Sequence, residues 1–238
     1  MIMKEMGERL SAIIDLVKPD QKVADIGCDH AYVSIELAKK KNCSVIAIDI
    51  KEGPLGIAKE NISAAGLEDR IETRLSDGMA ELKAGEADAL VIAGIGGHLI
   101  IDILKAGRDK LRPGMQLVLS PQSDLRLVRY ELRKMNCFIE KEVVLRDSDK
   151  WYFVLSCKVG MSLLQPVSEE EAKKDMMYGK YLPEHPTDVF REYMKWEEQG
   201  LEDLLTSLSK QKTPAAHARQ GSLRKQLEEN RLIQERIG

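Results

Sequence analysis

Between residues 8 and 17, apolar side chains recur at helical spacing. Leu10, Ile13, Ile14 and Val17 share one face, and Pro19 closes the run. Beyond it, short apolar runs alternate with amphipathic ones. Residues 22–26, 44–50, 71–75, 87–93 and 115–120 predict strands, and 31–40, 55–65, 97–106 and 125–134 predict helices. Gly66 stands where the second of these helices needs a left-handed cap. Strands that alternate with helices imply parallel βαβ units with helices on both faces. The pattern then changes. Residues 138–145 and 151–158 are strand-like and flank the polar turn Arg146-Asp-Ser-Asp-Lys150, a hairpin that must pair antiparallel. The expected fold class is α/β: a Rossmann-like, seven-stranded, mostly parallel sheet closed by a β-hairpin. After Gly160 no strand pattern is found. Phe190, Met194, Leu201, Leu205 and Leu208 recur at helical spacing, Thr213-Pro214 supplies an N-cap followed by proline at the first helical position, and Leu223, Leu227 and Ile233 continue on a second helix. This predicts a C-terminal helical hairpin, an antiparallel coiled coil, over residues 161–238, behind a catalytic domain over residues 1–160.

Composition narrows the function classes. Lys+Arg 36 against Asp+Glu 39 gives a net charge of −3, which excludes an indiscriminate polyanion binder. Only 5% of residues are aromatic, so the core must be built from aliphatic side chains and methionine. The longest apolar stretch, 89–101, is too short for a membrane helix, and charge at Lys4 and Glu5 interrupts the start of the chain where a signal peptide would be apolar. Four dispersed cysteines without a CxxC argue against a zinc site or a disulfide framework, and no metal is expected. A cytoplasmic protein is the expectation.

In an open parallel sheet, ligands bind beyond the carboxyl ends of the strands. Here each strand ends in a polar or glycine cluster. Asp25-Ile-Gly27-Cys28-Asp29-His30 follows the first, Asp49-Ile50 the second and Ser76-Asp77-Gly78-Met79 the third. Ala93-Gly94-Ile95-Gly96-Gly97 follows the fourth and Ser120-Pro121-Gln122 the fifth. The first loop decides between cofactors. A pyrophosphate needs the GxGxxG backbone cradle, but Gly27 is its lone glycine and Asp29 would repel a phosphate. S-adenosylmethionine carries an ammonium and a sulfonium, which acidic residues favour. Asp49, 22 residues after Gly27, is placed to accept ribose hydroxyls, and Asp77 to accept the adenine amine. Ile50 and Met79 are available to sandwich the ring. Cys28 reads as a small buried side chain rather than a nucleophile.

VADIGCDHAY at 23–32, IAIDI at 46–50, SDGM at 76–79 and IAGIGG at 92–97 resemble the class I, S-adenosylmethionine-dependent methyltransferases. More narrowly, the DIGxDHAY loop, GEADALVIAGIGG at 85–97 and a proline followed by an amide residue after the fifth strand resemble one family. That family is the bacterial tRNA adenine-N1 methyltransferases that modify adenosine 22, known as TrmK. The resemblance covers residues 8–160 and extends to the tail, because that family ends in a two-helix coiled coil. It implies transfer of a methyl group from S-adenosylmethionine to N1 of adenosine in tRNA, with S-adenosylhomocysteine as product. Asp29 and Tyr32 would lie on the methyl-transfer side. Asp25, Gly27, Cys28, His30, Asp49, Ile50, Asp77, Gly78, Met79, Ala93, Gly94, Ile95 and Gly96 would surround the cofactor. The chain departs from the family at Ser34, where proline is frequent, and at Ser120-Pro-Gln122, where Gln-Pro-Asn is found.

N1 of adenine has an in-plane lone pair, so the enzyme must extrude the base, align it and stabilise the charge it acquires. Asp29 would favour that charge, while Tyr32 and Gln122 hold the base. Gly97, Ser120 and Pro121 would border the substrate. Arg126, Arg129 and Arg133 lie at helical spacing beside this loop and predict a basic face for tRNA. The missing Asn/Asp-Pro-Pro-aromatic motif after the fourth strand disfavours methylation of the exocyclic amine. The alternatives are a small-molecule or protein methyltransferase of the same fold, and a non-catalytic RNA-binding module with a vestigial pocket. A monomer or weak dimer, with tRNA as partner and no membrane, completes the expectation.

Overall fold

Runs of aliphatic and β-branched residues form strands only when partners cover both faces, and five such runs here lie side by side. The computed structural model describes residues 7–160, 168–174, 176–211 and 213–238. Its first elements are α1 (Glu8–Leu16), β1 (Lys22–Ile26), α2 (Tyr32–Lys41), β2 (Ser44–Asp49), α3 (Glu52–Ala64) and β3 (Ile71–Leu75). They continue through β4 (Ala89–Ala93), α4 (Gly97–Ala106), β5 (Gln116–Ser120), α5 (Leu125–Lys134), β6 (Cys137–Asp147) and β7 (Lys150–Val159). The strands form one seven-stranded sheet ordered β3-β2-β1-β4-β5-β7-β6. β1 to β5 pair in parallel, and β7 runs antiparallel to both β5 and β6. Order therefore reverses between β1 and β4, the topological switch where ligands bind.

Side chains alternate between two cores. Val23, Val45, Ala47, Ala89, Val91 and Val118 pack under α1, α2 and α3. Ala24, Ile26, Ile48, Leu90, Ile92, Leu117 and Leu119 pack under α4 and α5. Asp25 falls on the α1–α3 side by the same alternation, a carboxylate in an otherwise apolar strand. The β6–β7 turn is tight. Asp147 pairs with Lys150, and Ser148 and Asp149 between them both have positive φ, +49° and +63°. That is the backbone of a type I′ turn, whose twist matches the strands it joins.

The molecule divides into two compact units, the second running from Gly179 to Gly238. The boundary expected at residue 161 lies outside the described residues. Two short helices escaped the sequence pattern: α6 (Glu169–Lys174), which packs on α5, and α7 (Tyr181–Glu184). Neither is long enough to show a helical period. In the second unit α8 (Asp188–Ser209) and α9 (Pro214–Ile237) lie antiparallel. Thr213 caps α9 by accepting a hydrogen bond from the Ala216 N–H at 3.2 Å. Ala216, Leu223, Asn230 and Ile237 are the buried positions of α9, one heptad apart. The fully buried Asn230 amide donates to the Met194 carbonyl (3.2 Å) and the Glu197 carboxylate (3.1 Å), a polar layer that fixes helix register. No helix among the described residues is long and apolar enough to cross a membrane.

Candidate active site

β1 ends at Ile26 beside Ile48, and the N–H groups of Gly27 and Cys28 that follow both reach the Ile48 carbonyl, at 2.8 and 2.9 Å. The chain then turns through three left-handed residues: Gly27 (φ +76°), Asp29 (+50°) and Ala31 (+60°). A Cβ on Gly27 would meet nothing within 4 Å, so glycine is required there by backbone conformation, and the space beside it is open. Asp29 and Ala31 adopt the same region with side chains, a strained arrangement typical of functional loops. The Asp29 N–H donates to Asp49 Oδ2 at 3.2 Å, and the Lys51 N–H to Asp49 Oδ1 at 3.0 Å. Asp49 thus ties the first loop to the end of β2 and keeps lone pairs for a further donor.

Asp25 sits beneath this loop. Ser34 Oγ donates to its Oδ2 at 2.6 Å, and the Ser34 N–H also favours the carboxylate. Burial outweighs both and pushes the Asp25 carboxyl from 3.8 up to about 6, with nearby Asp49 adding to the rise. Ser34 is one of the positions where this chain departs from the resemblance, and its hydroxyl holds Asp25. Cys28 is buried, and burial together with Asp25, Asp49 and Asp29 drives its thiol far above the usual range. It is no nucleophile. His30 is fixed in place: its carbonyl accepts from Asn61 Nδ2 at 3.0 Å, and its ring meets Tyr32 edge-on, centroids 5.9 Å apart. Tyr32 itself is 52% exposed and Asp29's side chain 71%, with Asp29 Oδ1 3.5 Å from His30 Nε2.

At the ends of β2 and β3, Ile50 is 59% exposed, Asp77 is exposed, and Leu75 stands exposed in register with Asp49. Met79 does not join them. Its side chain is buried against Gly107, where a Cβ would lie 2.6 Å from the methionine terminal carbon. The period of a short turn cannot tell which side a methionine takes, and the large aliphatic core of α4 claimed it. Gly78 (φ +54°) stands before it against Ile103.

The loops after β4 and β5 are joined: the Gly94 N–H donates to the Ser120 carbonyl (3.2 Å) and the Gln122 N–H to the Ile95 carbonyl (2.9 Å). Pro121 is buried and Gln122 exposed. Ala93 and Ile95 pack partly against the two cores. A Cβ on Gly96 would lie 3.2 Å from Ser123 Oγ. Gly97, expected to border the substrate, is instead a buried packing glycine. A Cβ there would lie 2.6 Å from the Ser123 carbonyl and 2.8 Å from Val128.

The expected basic face of α5 is also corrected. Arg129 is buried and pairs with buried Glu142 on β6 at 2.5 Å, sits over the Phe153 ring and donates to the Met177 carbonyl. Its helical spacing matched a surface arginine, but a buried acid on β6 with an odd place in the strand alternation was the missing signal. Arg133 stacks on Phe138 at 4.8 Å, and Arg126 is half-buried. Arg129→Ala would leave Glu142 buried without its cation. It is expected to cost about 3–5 kcal/mol, read as a large drop in melting temperature rather than a selective loss of tRNA affinity. An unchanged melting temperature would return Arg129 to the RNA face.

A sheet of this order with its seventh strand reversed, acids at the ends of β1 and β2 and an open first loop, is that of the class I methyltransferases. Residues 6–155 match the family described as methyltransferase domain. The tRNA (adenine(22)-N(1))-methyltransferase of Bacillus subtilis (strain 168) is 33% identical over 203 residues, 82% of this chain and 81% of that one. The crystal structure of the B. subtilis M1A22 tRNA methyltransferase TrmK superposes with a TM-score of 0.83 at 30% identity, covering 98% of this chain and 99% of that one. A Streptococcus pneumoniae protein solved in complex with S-adenosyl-L-methionine gives 0.80 at 27% identity, covering 95% and 98%. The chain belongs to the methyltransferase domain family and, within it, to the tRNA (adenine(22)-N(1))-methyltransferases, the TrmK family.

Proposed function

We propose that the protein transfers a methyl group from S-adenosyl-L-methionine to N1 of adenosine 22 in tRNA, in the cytoplasm, releasing S-adenosyl-L-homocysteine. The observation that carries this reading is the first loop. Its left-handed turns present Asp29 and Tyr32 to solvent directly above the buried Asp25 and beside Asp49.

The residues present fit the cofactor. Open space beside Gly27 admits its backbone approach, Asp49 retains acceptors for the ribose hydroxyls, and exposed Ile50 offers an apolar face for the adenine. Asp77, exposed after β3, would accept from the exocyclic amine. Asp25, buried beneath the first loop, would hold the ammonium of the methionine tail. When bound, the cofactor supplies an electrophilic sulfonium methyl. The chain's part is to place the lone pair of adenine N1 in line with the methyl–sulfur bond and to exclude water from it. Tyr32 offers the base a ring face, and Gln122, exposed at the end of β5, an amide. The new N–C bond leaves a positive charge on the adenine and none on sulfur. Asp29 stabilises that charge where it develops. No proton need be removed before attack, so no general base is assigned.

Incorporation of labelled methyl groups from S-adenosyl-L-methionine tests the reading. Bulk unmodified tRNA is expected to accept label, and metabolite or peptide pools are not. Labelled small molecules with inert tRNA would make the chain a methyltransferase of another substrate class. Failure to bind S-adenosyl-L-homocysteine in calorimetry would leave only a vestigial pocket.

A further inference from the structure

The first loop holds two left-handed residues that carry side chains, Asp29 (φ +50°) and Ala31 (φ +60°). Alanine disfavours that region because its Cβ crowds the following carbonyl oxygen. Such a conformation persists only where the surrounding structure over-determines it. Ala31 immediately precedes Tyr32, the first residue of α2, and Asp29 stands two residues before Ala31. Whatever keeps Ala31 left-handed therefore also sets where Asp29 and Tyr32 stand.

The peptide between His30 and Ala31 is gripped at both ends. Its N–H donates to the Cys28 carbonyl at 2.8 Å, a bond within the loop. Its carbonyl, on His30, accepts from Asn61 Nδ2 at 3.0 Å, across 31 residues of sequence. No other donor reaches that carbonyl among the described residues. Asn61 lies in the third turn of α3, between Ala58 and Ile62, and both of these are buried in one cluster with Ala31. The amide thus reaches the loop from a helix whose position the core already fixes. Turning the His30–Ala31 peptide over would break both bonds and carry Ala31 into the extended region that alanine prefers. The gain from relaxing one left-handed alanine and the net worth of one hydrogen bond are of the same order. With the Asn61 bond gone, the strained and relaxed arrangements become comparable in free energy, and only part of the population keeps the strained one.

We propose that Asn61 is a positioning residue for methyl transfer. Its amide holds the His30–Ala31 peptide, and through it Asp29 and Tyr32, in the arrangement that meets the target base. This rests on the methyltransferase reading above. The N–H bonds of Gly27 and Cys28 to Ile48 and of Asp29 to Asp49 do not involve Asn61, so the cofactor's side of the loop stays in place without it.

Single-turnover methylation of unmodified tRNA by the full-length protein, with calorimetry of S-adenosyl-L-homocysteine, tests this. Asn61→Ala should slow methyl transfer by roughly 5- to 30-fold, while S-adenosyl-L-homocysteine affinity changes by less than about threefold. Asn61→Leu fills the same space without donating and should lose as much. Glycine enters the left-handed region freely. In an Ala31→Gly background, Asn61→Ala should therefore cost less than about threefold relative to Ala31→Gly alone. Asn61→Leu at the parental rate would reduce Asn61 to a packing residue, and an equal loss in both backgrounds would mean that Ala31 is not what it restrains. Either overturns the proposal, as would a fall in cofactor affinity that matches the fall in rate. No methylation of tRNA by the unaltered protein would instead overturn the methyltransferase reading, and the positioning role with it.

Discussion

Asp25→Asn is expected to make the cofactor-free protein more stable at neutral pH and to weaken S-adenosyl-L-homocysteine binding. The two effects have one cause. Burial lifts the Asp25 carboxyl from 3.8 to about 6 despite the Ser34 hydroxyl and N–H. A group that holds its proton more tightly when folded stabilises the fold fully below its unfolded value. That contribution is lost as pH rises through the folded value. At neutral pH the ionised carboxylate therefore costs roughly 3 kcal/mol, at about 1.36 kcal/mol for each tenfold difference between the two values. Asparagine keeps the acceptor for Ser34 and removes the charge. Its amide needs a new acceptor, so the gain should be smaller, on the order of 1–2 kcal/mol or roughly 2–8 °C in melting temperature. The ammonium would then lose its counter-charge, with an affinity loss of about 10- to 100-fold. In the unaltered protein, affinity should also fall as pH drops through about 6, whereas the variant's affinity should not change there. A variant no more stable than its parent, with affinity unchanged, would make Asp25 merely the partner of Ser34 in α2.

Asp29→Asn is expected to separate chemistry from binding. Asparagine tolerates the left-handed conformation at φ +50°, and the backbone N–H that donates to Asp49 remains. What is lost is a charge on a side chain 71% exposed. If that charge offsets the one acquired by adenine, turnover should fall by roughly 100-fold, while S-adenosyl-L-homocysteine affinity changes by less than about threefold. Single-turnover methylation of tRNA together with calorimetry reads both. Unchanged turnover would remove Asp29 from the mechanism.

The parallel sheet was legible because its strands are uninterrupted aliphatic runs separated by helix-period segments. The hairpin was legible because Arg146-Asp-Ser-Asp-Lys150 cannot extend a strand, and it became a two-residue turn between Asp147 and Lys150. Thr213-Pro214 marked the start of α9 to the residue. The strand-end rule found Asp25, Asp49 and Asp29 because it follows from topology rather than from side-chain type. What it could not supply is direction. Met79 follows β3 as expected yet turns into the core, and Arg129 has the spacing of a surface helix face yet meets Glu142. Residues that reach the site from another element were invisible to it. Ser34 arrives from within α2 and Asn61 from α3, and only the packing of those helices brings them there.

The most direct measurement is nucleoside analysis of unmodified tRNA after incubation with the protein and S-adenosyl-L-methionine, beside a transcript in which adenosine 22 is replaced by guanosine. The account predicts 1-methyladenosine in the first and no methylated adenosine in the second. N6-methyladenosine, or equal methylation of both transcripts, would contradict it.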